Sequence, residues 1–283
     1  MTAGHRTDLP GATSGVLVLR LAGPLQSWGE SSRFNRRRTA AEPTKSGVVG
    51  LLAAAQGRRR TDPIDDLAAL TLGVRTDRPG SLLRDFHTVS DYRGIPLRSA
   101  AVNATGRQKP TAPPKRTHVT HRFYLQDAVF VAALSGPEDL LGKLAEALGS
   151  PAFPLALGRR SCVPTQPVVL PPFREHSAAA VPGPLWHGDV LEVLGQVPWL
   201  GAGRPRQWDP PRTDTGTIRL PVLVDDPCGP DRRGDNPVSF DPLNRSFVER
   251  PVRWAWVGAP TGSASRQPSV SGAVHDPFAV LGR

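Results

Sequence analysis

Five short clusters hold the residues of this chain that can do chemistry. The first is Gly23-Pro24-Leu25-Gln26-Ser27-Trp28-Gly29. Its two glycines permit tight backbone turns. Trp28 brings a flat indole that either stacks on a base or partner or plugs a core edge. The second, Glu42-Pro43-Thr44-Lys45-Ser46-Gly47, opens a predicted helix. Free amides at a helix start, with Lys45 and Ser46 beside them, suit an anion. This is not a nucleotidase phosphate loop, because Thr44 precedes Lys45 and no Gly stands at the required upstream spacing.

The third cluster, Leu83-Arg84-Asp85-Phe86-His87-Thr88-Val89, offers His87 either as an acid or base or as a hydrogen-bonded structural histidine. The fourth comprises Lys109, Lys115, Arg116, His118, His121 and Arg122. These either grip phosphates or, with histidines titrating near neutrality, act on a 2′-hydroxyl by general acid–base catalysis. The fifth is Leu157-Gly158-Arg159-Arg160-Ser161-Cys162. Paired arginines beside a glycine suit a close phosphate backbone, whose oxygens a guanidinium fork grips in pairs. Strand neighbours point to opposite sides, so one of the two is also read as a brace for the fold. No nucleophile–His–acid set, metal-ligand pair or dinucleotide fingerprint stands at a recognised spacing.

The charge supports polyanion binding. The 283 residues carry 35 Lys+Arg against 25 Asp+Glu, a formal net charge of +10. All but Lys45, Lys109, Lys115 and Lys143 of the cations are arginines, which codon bias alone can explain. Their clustering is more informative. Arg20 to Arg60 contains nine basic residues against Glu30 and Glu42, and Arg84 to Arg122 contains eight against Asp85 and Asp91. A solvated face mixes its signs, whereas a nucleic-acid face does not. Apolar runs such as Leu51 to Ala55 are far short of the roughly 20 residues of a membrane span. Arg6, Asp8 and Pro10 interrupt any secretory h-region, and Cys162 and Cys228 make no disulfide framework. A cytoplasmic globular protein without a cofactor is expected.

After a loose leader (1–14), Gly15 to Ala22 alternates as a first strand. Gly47 to Gln56 is a helix with Thr44 as N-cap and Gly57 as stop. Asp62-Pro63 starts a helical turn, Leu70 to Thr76 is a strand, and Ala128 to Leu134 another. Pro137, Glu138 and Asp139 open a helix that ends near Gly149, with Leu140, Leu141, Leu144 and Leu148 as its core stripe. Pro154 to Gly158 is a candidate fourth strand. The order is β-α-β-β-α-β, an α+β ferredoxin-like unit over 15–165. Its long stretch at about 79–122 predicts a projecting basic β-hairpin. Beyond it a mainly β region (166–257) has strand candidates at Asp189 to Leu194, Thr217 to Val224 and Phe247 to Val257, followed by a poorly ordered tail (258–283).

The segment Leu19 to Gly57, with its Gly-Pro-Leu-Gln-Ser-Trp-Gly and Pro-Thr-Lys-Ser-Gly motifs, resembles the fifth family of CRISPR-associated (RAMP) proteins, in its type I-E form. The third and fifth clusters match that family in the same order, and the blocks together are specific. The C-terminal half matches loosely, through Arg250 and the run around Trp254 and Trp256.

The resemblance implies an RNA-recognition fold with a thumb and a place in an antiviral Cascade surveillance complex. There the protein holds the 5′ handle of crRNA next to the backbone subunit CasC and the large subunit CasA, and meets target DNA only through the complex. It implies RNA contact for Gln26, Trp28, Lys45, Ser46, Arg84, His87, Arg159, Arg160 and Ser161. Lys109, Lys115, Arg116, His118 and Arg122 are added on charge alone.

A type I-C relative cleaves the repeat with a Tyr, a Lys and a His. This chain has only Tyr92 and Tyr124, and Arg116 follows Lys115 with His118 further on. A non-catalytic binder is therefore expected. A metal-independent endoribonuclease acting on CRISPR repeat RNA is the alternative, and a protein scaffold for acidic partners the third option.

Overall fold

A computed structural model describes residues 14–29, 35–91, 104–105, 116–172, 183–201 and 216–261. The expected leader, most of the expected tail, and Lys109 and Lys115 lie outside them. The elements in chain order are β1 (Ser14–Ala22), β2 (Leu25–Gln26), β3 (Arg36–Arg37), α1 (Lys45–Ala55), α2 (Asp65–Ala68), β4 (Thr71–Arg78), β5 (Ser81–Asp91) and β6 (Arg116–Gln126). They continue with β7 (Val129–Pro137), α3 (Glu138–Gly149), β8 (Leu185–Trp186), α4 (Val190–Gln196), β9 (Thr217–Asp225), β10 (Asp231–Ser239) and β11 (Ser246–Pro260).

The fold is mixed α+β, with a seven-stranded antiparallel sheet ordered β10-β11-β9-β4-β7-β1-β8. Strand β1 alternates as its sequence predicts, but both faces are buried. Leu17, Leu19 and Leu21 enter a core with the apolar sides of α1, α2 and α3, while Val16 and Val18 enter a second core with Val190, Val193 and Leu194 of α4. Strand β7 repeats the pattern, placing Phe130, Ala132 and Leu134 on the first side and Val131 and Ala133 on the second. Gly73 of β4 is required here, because a Cβ would collide with Val190 of the helix on the second side.

The first helix begins as expected, with the Thr44 hydroxyl accepting from the Gly47 amide at 3.2 Å. Two strand expectations are corrected. Pro154 to Gly158 is not a strand: Leu157 donates to the Cys162 carbonyl at 2.7 Å and Cys162 to Arg159 at 2.8 Å, closing a turn. The place beyond β1 is taken by residues 168–170, where Arg20 donates to Val168 and Leu170 to Val18, and by β8. Asp189 to Leu194 is helical. Its Asp189 accepts from the Leu191 amide at 2.8 Å and Glu192 reaches back to the Asp189 amide at 3.2 Å, a capping box.

Strand β10 carries no local strand signal, since Asp231 to Ser239 is polar and broken by Gly234 and Pro237. An edge position tolerates such residues. Strand β9 pairs with β4 (Val74 opposite Leu223), so the C-terminal strands extend the same sheet as β1, β4 and β7. Strand β11 continues to Pro260, into the span expected to be tail.

Strands β4 and β7 pair within the large sheet and then run on as β5 and β6, an antiparallel ribbon from Ser81 opposite Gln126 to Asp91 opposite Arg116. The joint requires Gly80, at φ +73°, because a Cβ there would strike the Gln126 carbonyl and Ala128. Opposite it, Asp127 sits at φ +57°, a conformation that Asp tolerates better than most side chains. Short strands β2 and β3 line the other edge of β6.

Candidate nucleic-acid interface

The first sequence cluster builds the mount of the ribbon. Gln26 is fully buried, and its amide donates to the carbonyls of Leu21 at 3.0 Å and Ala128 at 2.8 Å. Its oxygen accepts from the Trp28 indole at 3.1 Å. One side chain thus ties the end of β1 to the joint between β6 and β7. Trp28 is also fully buried, against Gly47, where a Cβ would meet its ring. The two motifs that open and close the first loop are therefore partners in packing. Ser27 completes the mount by donating to the Phe123 carbonyl at 3.2 Å.

The fifth cluster clamps the same place. Gly158, at φ +92°, presses against the Ser27 carbonyl, and any Cβ would overlap it. Arg159 donates to the carbonyls of Phe123 at 3.0 Å and Arg37 at 2.8 Å, and its guanidinium lies 4.7 Å over the Tyr124 ring. It braces the fold, as expected of one member of the pair, but from a turn and not from a strand. Its neighbour Arg160 and then Ser161 are exposed. Cys162 is buried beneath them, and burial pushes its thiol pKa up.

The anion site expected at the start of α1 is filled from within the chain. The Lys45 amide donates to Asp235 at 2.8 Å, and its buried ammonium pairs with Asp225 at 2.9 Å. Arg250 donates to Asp235 at 2.7 and 3.1 Å and also to Asp225. Burial alone would lower the Arg250 pKa, but the bonds and charges of Asp235 and Asp225 outweigh it and raise the value. Buried cations and carboxylates match here, as a low-dielectric interior demands. Ser46, half-buried, lies 3.4 Å from the Thr44 hydroxyl as part of the cap. Gln26, Trp28 and Lys45 thus face the interior of the chain, and the expectation of direct RNA contact is corrected for these three side chains.

A second buried pair, Arg75–Asp77, stands two residues apart on β4, fully enclosed at 2.7 Å. Arg75 also donates to the carbonyls of Val197 at 2.6 Å and Pro198 at 3.0 Å, and Asp77 accepts from the Leu200 amide at 2.7 Å. This pair secures the chain after α4 and serves the scaffold. Neither residue was singled out in the sequence, because a charged pair within an apolar strand gives no local sign of what it will cap.

The remaining cations gather around the ribbon. Arg84 is exposed on β5, His87 is half-buried further along it, and Arg122 on β6 stands opposite Asp85. The backbones of Arg116 and His118 lie in β6. Strand β3 pairs in parallel with β6, setting Arg36 beside His121 and Arg37 beside Arg122. Arg36, Arg37 and Arg38 are exposed, and the Arg36 guanidinium lies 5.2 Å over Phe123. The structure thus sets Arg84, His87 and Arg122 along the ribbon, Arg160 and Ser161 on the turn at its mount, and Arg36–Arg38 on and after the strand beside it. The run of three arginines was the visible signal for the latter. Among the described residues no group of three His, Cys, Asp or Glu is placed to hold a metal ion, and no helix is long and apolar enough to cross a membrane.

Residues 16–253 match the family described as CRISPR-associated protein (Cas_Cas5). The CRISPR system Cascade subunit CasD of Escherichia coli (strain K12) is 36% identical over 173 residues, which cover 54% of this chain and 69% of that protein. A chain of a solved CRISPR RNA-guided surveillance complex superposes with a TM-score of 0.66 at 36% identity, over 87% of this chain and 91% of that one. A crystal structure of a Cas protein gives a TM-score of 0.59 at 35% identity, over 87% and 98%.

Proposed function

The chain belongs to the Cas5 family of CRISPR-associated proteins, and from that premise we propose that it is a non-catalytic RNA-binding subunit of a Cascade-type surveillance complex, holding the 5′ handle of crRNA. The observation that carries this reading is the cationic rim around the ribbon mount. Arg36–Arg38, Arg84 and Arg160 are all exposed there, while the other conspicuous cations of the same motifs, Lys45 and Arg159, are committed to the fold. Guanidinium groups on such a rim bind phosphates, and nearby rings support unstacked bases.

His87, Arg122 and Ser161 complete the proposed contact surface. Lys109, Lys115, Arg116 and His118 join it on charge. The strand order β4-β7-β1, with residues 168–170 and β8 outside β1, supports a ferredoxin-like core, and the β5–β6 ribbon is its thumb. In this reading the thumb meets the backbone subunit CasC and the large subunit CasA docks nearby. Target DNA is met only through the complex, and the protein works in the cytoplasm without a cofactor.

The test is a gel-shift series in EDTA at two salt concentrations. It compares mature guide RNA, a guide with a scrambled handle and an uncut repeat precursor. Handle-dependent, salt-sensitive binding that leaves the precursor intact is expected. A discrete cut in the precursor, abolished by His118→Ala, would replace this reading with a repeat-processing endoribonuclease.

A further inference from the structure

The outward face of the β5–β6 ribbon combines features that neither the mount nor the rim explains. Phe86 is 64% exposed on it. Its ring meets that of His121, directly across the ladder, with centroids 5.9 Å apart and planes at 59°. The two rings therefore form a corner, and most of the Phe86 surface stays open. Arg84 lies two residues earlier on the same face, opposite Phe123, and Arg36 covers the Phe123 ring from β3. Strand alternation sends Asp85 to the other side, so this face carries two guanidinium groups and no carboxylate among its described side chains. The His121 Nδ1 is shut off from water and has no hydrogen-bond partner. A buried polar atom left this way is costly unless something pairs it, and rotation of the ring about χ2 changes what it can reach.

We propose that this corner is a stacking subsite for one unpaired RNA base, with Phe86 as the platform and His121 as the wall whose imidazole hydrogen-bonds the base edge. The inference rests on the RNA-binding reading above and assigns one nucleotide within it. Charge decides the class of occupant. An apolar protein surface gains nothing from two uncompensated guanidinium groups, whereas a nucleotide offers a π-face for Phe86 and phosphates for Arg84 and Arg36.

The full-length protein is titrated with a synthetic single-stranded RNA of the guide's 5′ handle, carrying 2-aminopurine at each position in turn. One position is quenched by stacking in the wild type. Phe86→Ala releases that quench and weakens binding about tenfold with the salt slope unchanged, since a stack and not a phosphate contact is lost. Phe86→Trp restores both. His121→Phe keeps the quench and loses the preference between bases at that position.

A Phe86→Ala protein with wild-type affinity and an unchanged fluorescence pattern overturns the subsite while leaving the RNA-binding reading intact. If that variant binds RNA normally but fails to join the assembled complex, the face docks a protein and the proposal is wrong. Absence of handle binding in the wild type overturns the functional reading, and the subsite with it.

Discussion

The seam between α1 and the C-terminal strands and the ribbon of β5 and β6 use the same residue types for opposite ends. In the seam, Lys45 and Arg250 sit inside the protein against Asp225 and Asp235, and Asp225 also accepts from the Leu72 amide at 2.9 Å. On the ribbon and its mount, Arg36, Arg37, Arg84 and Arg160 stand in water. Burial compels a cation to find its counter-charge within the chain, because an unpaired one costs several kcal/mol (~3–5 when a buried pair is broken). A cation left outside can have its phosphate supplied by a ligand. Arginine content alone does not distinguish the two cases.

The largest effect is expected at Arg250. Arg250→Ala leaves the carboxylates of Asp225 and Asp235 with Lys45 as their one remaining cation in the seam and is expected to cost about 3–5 kcal/mol, read as a lower urea midpoint. Arg84→Ala on the ribbon should stay within about 0.5 kcal/mol of wild type. Equal losses at both positions would erase the distinction.

Next in size is Gly158→Ala. Its positive φ and the Ser27 carbonyl leave no room for a methyl group, so a loss of more than about 1 kcal/mol is expected in thermal unfolding. RNA affinity should fall with it, because the turn carries Arg160.

The adjacent arginines sharpen the contrast. Arg159→Ala removes bonds to two carbonyls and should lower stability by about 1–2 kcal/mol. Arg160→Ala should leave stability within about 0.5 kcal/mol yet lower the salt slope of RNA binding by about one. In the double variant both losses appear, and wild-type handle retention there would remove the rim from the binding surface.

The smallest effect belongs to an exposed pair. The hydrogen bond from Arg58 holds the Asp66 carboxyl below the usual range, with burial opposing it. A folded-state value below the unfolded one stabilises at neutral pH, and that contribution is lost as pH falls through the folded value. Asp66→Asn should therefore cost under about 1 kcal/mol near pH 7 and nothing in acid, since the pair is screened by solvent. Urea titrations at the two pH values measure the difference.

Legibility in the sequence followed the range of the interactions. The β1 alternation, the start of α1 at Thr44 and the stripe of Leu140, Leu141, Leu144 and Leu148 on α3 all appear where the pattern placed them, with Leu140 at the partly buried margin, because strand and helix periods are local. The helix at Asp189 carried a readable Asp-x-x-Glu signal that short strand-like apolar spacing obscured. The motif residues Gln26 and Trp28 were visible as unusual, but whether they faced RNA or the core was not.

Local pattern alone carries the basic clustering, the order β1, α1, β4, β7 and α3, and the motif set that marks the family. The burial of particular cations is a matter of long-range contact. Lys45 meets Asp225 and Asp235 across 180 and 190 residues of chain, and Arg75 caps carbonyls well over a hundred residues away. Separations of that size leave no periodic trace. Which guanidinium is buried depends on which strands become neighbours, and that is settled by packing.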